Sequence, residues 1–313
     1  MQRPRACALF ACALCLQQLQ RMPTRIAIWD RPPAQVLATS LQEQDASFAI
    51  ERHAPEVCTA LAMKGKVDVA LVPTYLALQG HDGFDAIPGI GLSSWQYPFA
   101  RLVWKDGLSS FPETVAYPRT HVTERFVARV ILHEHYGVDP SFTPVDTDDP
   151  ASLHRSSADA GLLVGPQGAA YDAGEAFTMD LGREWYELTN YPMVWGLFVT
   201  KRGEATTSLV EALMAAGKQA TEHRDDWITS AAPPQHLREF YTEDLRTGIG
   251  RLERASLTDF RTYLFYYNVS DEIPDMPFVS EDPDAAASED ADDADAQDAN
   301  GASDASSPLT GVS

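Results

Sequence analysis

Apolar residues along the chain fall into short runs broken by polar turns, and two spacings alternate. Residues 25–29, 67–72, 99–104, 114–117, 142–145, 160–164 and 193–200 are brief, nearly continuous apolar runs. Runs of that length without helical periodicity predict strands, several of them buried on both faces. Residues 48–51 form a further candidate strand. Between these runs lie segments with apolar positions three and four apart, which predict helices over 35–41, 57–63, 122–136, 151–156 and 208–224. In 122–136 the residues Val122, Phe126, Val127, Val130 and Ile131 share one face. Gly65 and Gly137 stand where two of the helices should stop. Residues 233–240 and 258–267 read as a helical C-terminal part.

Strands alternating with helices predict α/β units built on largely parallel sheet. Two segments resemble each other: Gln96-Tyr97-Pro98-Phe99 and Asn190-Tyr191-Pro192-Met193, each just before a strand. They bracket a complete α/β stretch. The preferred reading is two crossings between two lobes, with a ligand cleft and a hinge between them. Lobe one is then 22–97 plus 198–270, and lobe two 98–197. The alternative is a coincidental Tyr-Pro pair in two loops.

Composition narrows the function classes. The chain has 313 residues, matching a prior of about two domains. Its 45 Asp and Glu against 24 Lys and Arg give a net charge of -21, which argues against nucleic acid as a partner. No apolar run approaches the roughly 18–20 residues of a membrane helix, so no membrane span is expected. Lys is scarce, and an acidic surface with few Lys hints at a salty cytoplasm. Of the four Cys, Cys7, Cys12 and Cys15 lie at the start and only Cys58 in the body. The body therefore has no internal disulfide, which suits a reducing, cytoplasmic setting. Cys58 reads as a small buried apolar residue.

The ends differ from the body. Residues 1–21 pair Arg3 and Arg5 with the apolar stretch 6–16, superficially like a secretory signal. The polar run that follows has no small-residue cleavage site, so a mis-assigned leader ahead of Met22 is the reading taken. Residues 271–313 carry 13 acids and no base, and are expected to form an acidic, disordered tail.

Several stretches resemble a known family. Val67-Asp68-Val69-Ala70-Leu71-Val72-Pro73, Asp159-Ala160-Gly161-Leu162-Leu163-Val164-Gly165 and Tyr241-Thr242-Glu243-Asp244-Leu245-Arg246 are similar to segments of the menaquinone-biosynthesis family of the futalosine pathway. The most specific stretch is Asp180-Leu181-Gly182-Arg183-Glu184-Trp185-Tyr186-Glu187-Leu188-Thr189, ahead of a strand with Trp195. That family contains chorismate dehydratase and a relative acting on a futalosine-type intermediate. The resemblance spans about 25–267. It implies a type-II periplasmic-binding-protein-like fold of two α/β lobes, and a hydro-lyase that removes water from chorismate to give 3-[(1-carboxyvinyl)oxy]benzoate. It implies no metal and no organic cofactor. The alternatives are a non-catalytic binding protein for small anions or aromatic acids, and the futalosine-side enzyme. Oligomeric state is not read from the sequence.

The resemblance departs from the family pattern near the expected site. After the first strand the family typically has Ser-Tyr-Leu-Asn, whereas here Trp29-Asp30-Arg31-Pro32-Pro33 follows, with Asp30 roughly where the Asn would stand. Gly165 is followed by Pro166 where the family often has Asp.

A dianionic substrate that loses water needs an anion seat, proton transfer and exclusion of solvent. Thr120 and Thr123 open a helix, where hydroxyls and free N–H groups can seat an anion, although either can be a plain helix cap. Arg119 adds positive charge there. Arg31 is a candidate bidentate partner of a carboxylate, or simply a surface Arg. Ser93 and Ser94, just before the first crossing, are candidate carboxylate donors or hinge residues. Gly165 completes the substrate-binding set. His121 is a candidate acid toward the leaving hydroxyl. Asp30 is a candidate proton-transfer group, or a helix cap. His133-Glu134-His135 resembles a metal motif, but neighbours on a helix point about 100° apart, so a solvated helix end is expected.

Overall fold

A computed structural model describes residues 23–104, 111–174 and 176–279. Two sheets account for every named strand. The first has the order β11 (Leu245–Arg246), β4 (Phe84–Ser94), β10 (Met193–Lys201), β3 (Val69–Pro73), β1 (Thr24–Trp29), β2 (Phe48–His53), and the second β7 (Ser141–Val145), β6 (Thr114–Pro118), β8 (Ala160–Val164), β5 (Ala100–Trp104), β9 (Thr178–Asp180). In the first, β1 (Thr24–Trp29), β2 (Phe48–His53) and β3 (Val69–Pro73) run parallel. They are joined through α1 (Gln35–Gln44) and α2 (Pro55–Met63). All five residues of β3 are buried, as an apolar run covered on both faces requires. α3 (Thr74–Gln79) follows, and β4 (Phe84–Ser94) ends the first pass through this lobe.

The second sheet contains β5 (Ala100–Trp104), β6 (Thr114–Pro118), β7 (Ser141–Val145), β8 (Ala160–Val164) and β9 (Thr178–Asp180). β6 runs parallel to β7 and β8, while β5 is antiparallel to β8 and β9. α4 (Val122–Val130) buries Phe126, Val127 and Val130, the stripe its sequence presents. It continues as a π-helical turn, Ile131–His135, and ends at Gly137 with φ +69°. α5 (Pro150–His154) and α6 (Gly165–Ala170) follow, and α7 (Leu181–Thr189) starts the return.

β10 (Met193–Lys201) lies between β3 and β4 in the first sheet, antiparallel to both. α8 (Thr207–Glu222), α9 (Arg224–Ala231), β11 (Leu245–Arg246) and α10 (Arg251–Tyr266) complete that lobe.

Two boundaries differ from the sequence expectation. The whole of β10 belongs to the first sheet, so the return crossing lies at residues 190–192 and not at 197. Residues 271–279, expected to be the start of a disordered tail, pack on the first lobe. Ala86 and Phe278 form a bridge, Met276 is buried, and Arg254 lies 4.2 Å over the Phe278 ring. The leader 1–21 and the tail from 280 onward lie outside the described residues.

The crossings are tightly built. The Asp180 carboxylate accepts hydrogen bonds from the Tyr97 N–H at 2.8 and 3.0 Å, and caps α7 by accepting from the Arg183 N–H at 3.0 Å. It thereby ties the outgoing crossing to the helix that leads into the return. At Gly182 a Cβ would sit 2.8 Å from backbone atoms of Gln96 and Tyr97, so no side chain fits there. Tyr97 stacks on Trp195 at 4.0 Å, joining the two crossings through aromatic surface. Among the described residues no helix is long and apolar enough to cross a membrane.

Candidate functional site

Parallel α/β sheets gather loops and helix starts at the carboxyl ends of their strands. Here the two lobes bring those ends together. Trp29 and Arg31 end β1, Pro73 ends β3, and Pro55 and Glu56 open α2. From the second lobe come the β6–α4 turn and the first turn of α4. The resulting cavity is also lined by Leu76, Thr120, His121, Val122, Thr123, Glu124 and Trp195, and measures about 20 Å³. That is room for about one water molecule.

Its aromatic walls are fixed. The Trp29 indole N–H donates to the Leu71 carbonyl at 2.9 Å. The Trp29 ring packs over Gly196, where a Cβ would come within 2.7 Å. The Trp195 indole N–H donates to the Ser94 hydroxyl at 2.9 Å.

The polar groups are less settled. Thr123 is 3% exposed, and its hydroxyl has no hydrogen-bond partner among the described residues. Buried polar groups are nearly always paired, which singles this hydroxyl out as a candidate binding group. The N–H groups of the first turn of α4 likewise have no intrahelical acceptor, and the helix dipole adds partial positive charge. His121 precedes α4 and is buried; burial holds its imidazole below the ordinary value of 6.5, with Glu124 opposing that shift. His121 Nδ1 lies 3.8 Å from Glu124 Oε2, and Arg31 Nη1 lies 4.0 Å from Glu124 Oε1. The Arg31–Glu124 pair bridges the two lobes.

The structure thus brings Arg31, Thr120, His121 and Thr123 into one cavity. The other expected site residues lie elsewhere. Asp30 is exposed, and its backbone N–H donates to the His53 carbonyl. Arg119 points outward to Asp146 at 2.9 Å, both largely exposed. Ser93 donates to the buried carboxylate of Glu253 at 3.3 Å, and that carboxylate also pairs with Arg246. The Ser94 hydroxyl accepts from the Trp195 indole, whose ring lines the cavity. Gly165, with φ +78°, donates its N–H to the Phe99 carbonyl at 2.8 Å and supports the second sheet. Glu56, Glu124, Trp29 and Trp195 line the cavity without having been expected there. Among the described residues no group of three or more His, Cys, Asp or Glu side chains is placed to hold a metal ion.

Two α/β lobes, two crossings and a cavity between them define a protein of the periplasmic-binding-protein fold. Solved structures agree. Protein AF1704 from Archaeoglobus fulgidus is similar with a TM-score of 0.62 at 16% identity, over 79% of this chain and 98% of that one. The alkanesulfonate-binding protein SsuA from Xanthomonas axonopodis pv. citri, solved with MOPS, gives 0.58 at 14% identity, over 82% and 96%. The Candida albicans CA3427 product, described as having the generic periplasmic binding protein fold, gives 0.54 at 11% identity, over 84% and 99%. At these identities the likeness concerns the fold alone. No curated protein matches the chain. A family model described as menaquinone biosynthesis matches residues 24–266, and the chain belongs to that family. Its role is therefore in menaquinone biosynthesis.

Proposed function

We propose that the protein is a chorismate dehydratase, converting chorismate to 3-[(1-carboxyvinyl)oxy]benzoate and water. The observation that carries this reading is the unpartnered, buried Thr123 hydroxyl beside the free N–H groups of α4. Together they would form an anion seat in the interlobe cavity of a menaquinone-biosynthesis protein.

The chemistry follows from the groups present. Water leaves as the ring hydroxyl and the hydrogen on the neighbouring ring carbon that bears the ether. The electron pair of that C–H bond becomes the new ring double bond, and aromatisation drives the step. The Thr123 hydroxyl, the N–H groups of α4 and Arg31 would hold substrate carboxylates. The sequence reading gave His121 the part of acid. Burial disfavours its charged form, so a neutral imidazole able to accept the ring proton is the form present at neutral pH. Closure around the substrate excludes water.

Purified protein incubated with chorismate should produce the carboxyvinyloxy-benzoate, measured by liquid chromatography. Folded protein that binds chorismate without forming product would instead support the non-catalytic binding protein. One feature favours the futalosine-side reading as a second possibility. An open groove of about 320 Å³, lined by Arg119, Val145, Asp146, Thr147 and Asp148, adjoins the cavity and shares Thr120 with it. A ligand longer than chorismate would extend there, and turnover of a futalosine-type compound with none of chorismate would establish that reading.

A further inference from the structure

The charge inventory of the cavity is unusual for an anion site. Among the described residues lining it there is one cation, Arg31, and two carboxylates, Glu56 and Glu124. His121, the remaining titratable group, is held neutral by burial at neutral pH. A dianion entering this arrangement would meet a net negative lining and an Arg already engaged. The engagement is loose, however. Glu124 stands 4.0 Å from Arg31 and 3.8 Å from His121, both beyond hydrogen-bond length. Its side chain is only 13% exposed, so it is largely withdrawn from water without a close partner in either group. It approaches Arg31 from the opposite lobe, and both line the same cavity.

We propose that Glu124 is a stand-in carboxylate: it holds the place of a ligand carboxylate on Arg31, and an anionic ligand binds by displacing it. The consequence is selectivity. A ligand must offer Arg31 better geometry than Glu124 does, and a bidentate carboxylate at about 2.8 Å does so, while a weakly basic anion does not. The displaced Glu124 carboxylate remains on α4, beside His121. The inference rests on the cavity being an anion seat, not on the reaction performed there.

The test measures binding of benzoate and isophthalate, a monoanion and a dianion, by titration calorimetry to the full chain. Wild type is compared with Glu124→Gln, Glu124→Ala, Arg31→Gln and the Arg31→Gln/Glu124→Gln double variant. Removing the competing charge should tighten isophthalate binding by roughly tenfold in Glu124→Gln. The gain should vanish in the Arg31→Gln background, because the two effects are coupled through one contact. Equal or weaker binding in both Glu124 variants, from protein that melts like wild type, overturns the proposal. So does an unchanged gain without Arg31, or no binding of either anion by any variant. Failure of chorismate turnover with the calorimetric pattern intact would overturn the dehydratase reading and leave this one standing.

Discussion

At Thr123, function and stability pull in opposite directions. A buried hydroxyl without a partner lowers stability by about 1–3 kcal/mol relative to a paired or apolar group. Thr123→Val keeps the shape and removes the unpaired group. It should leave the melting temperature unchanged or raise it, while weakening chorismate binding by about tenfold. Lost stability with unchanged affinity would make Thr123 an ordinary structural residue. His121 supplies a pH signature. Its folded pKa lies below the 6.5 of the free imidazole, so the unfolded chain binds the extra proton more readily. Stability from this group is complete above pH 6.5 and declines as pH falls from there toward the folded pKa. Burial raises the Asp244 pKa to about 6 and acts in the opposite sense over this range, so the decline is read as the wild-type minus His121→Gln difference in urea midpoint from pH 8 to 5. Thr120, His121 and Thr123 were legible because a strand, a short turn and a helix place them at a strand's carboxyl end. Glu124 was not, since an acid in a helix's first turn reads as a partner of the dipole. Ser93 and Ser94 face apart because adjacent strand residues point to opposite faces, one to Glu253 and the other to Trp195.

At the scale of elements, the crossings set the geometry of the cleft, and Gly182 is their tightest point. Gly182→Ala drives a Cβ into backbone of residues 96 and 97, which cannot yield as a side-chain end would. The expected loss is on the order of 3 kcal/mol or more. Gly137→Ala is the control. Its φ of +69° strains any side chain, but nothing lies within 4 Å, so about 1 kcal/mol is expected. Thermal unfolding of both variants should rank Gly182→Ala well below Gly137→Ala, and equal midpoints would remove the crossing contact as a determinant of stability. Most elements were legible because the buried strands are almost wholly apolar and α4 carries a clear stripe. The π-helical turn after α4 was not, because its side chains keep a nearly helical spacing. Met276 and Phe278 were missed because scattered apolar residues among acids and prolines resemble a solvated tail, and the sheet edge they cover explains them.

At the scale of the whole molecule, the two lobes meet around the cavity. Tyr75 of α3 and Phe126 of α4 meet across the cleft at 5.4 Å, and Arg31 faces Glu124. The cavity as described holds about one water, so an aromatic acid is expected to enter through a parting of the lobes. A closed state that must open before it binds has a kinetic signature. With rising ligand, the observed binding rate should level off at, or fall toward, the opening rate instead of climbing in proportion. Trp29 and Trp195 line the cavity and supply the fluorescence signal for stopped flow. The net charge of -21 adds a second dimension. An anion approaching this surface is repelled over roughly a Debye length, about 10 Å at 0.1 M salt. Added salt should therefore speed the encounter step at low ligand and leave the plateau, set by opening, unchanged. A rate that rises linearly with chorismate to near the diffusion limit, at any salt, would mean that the cleft stands open in solution and that its closure follows binding.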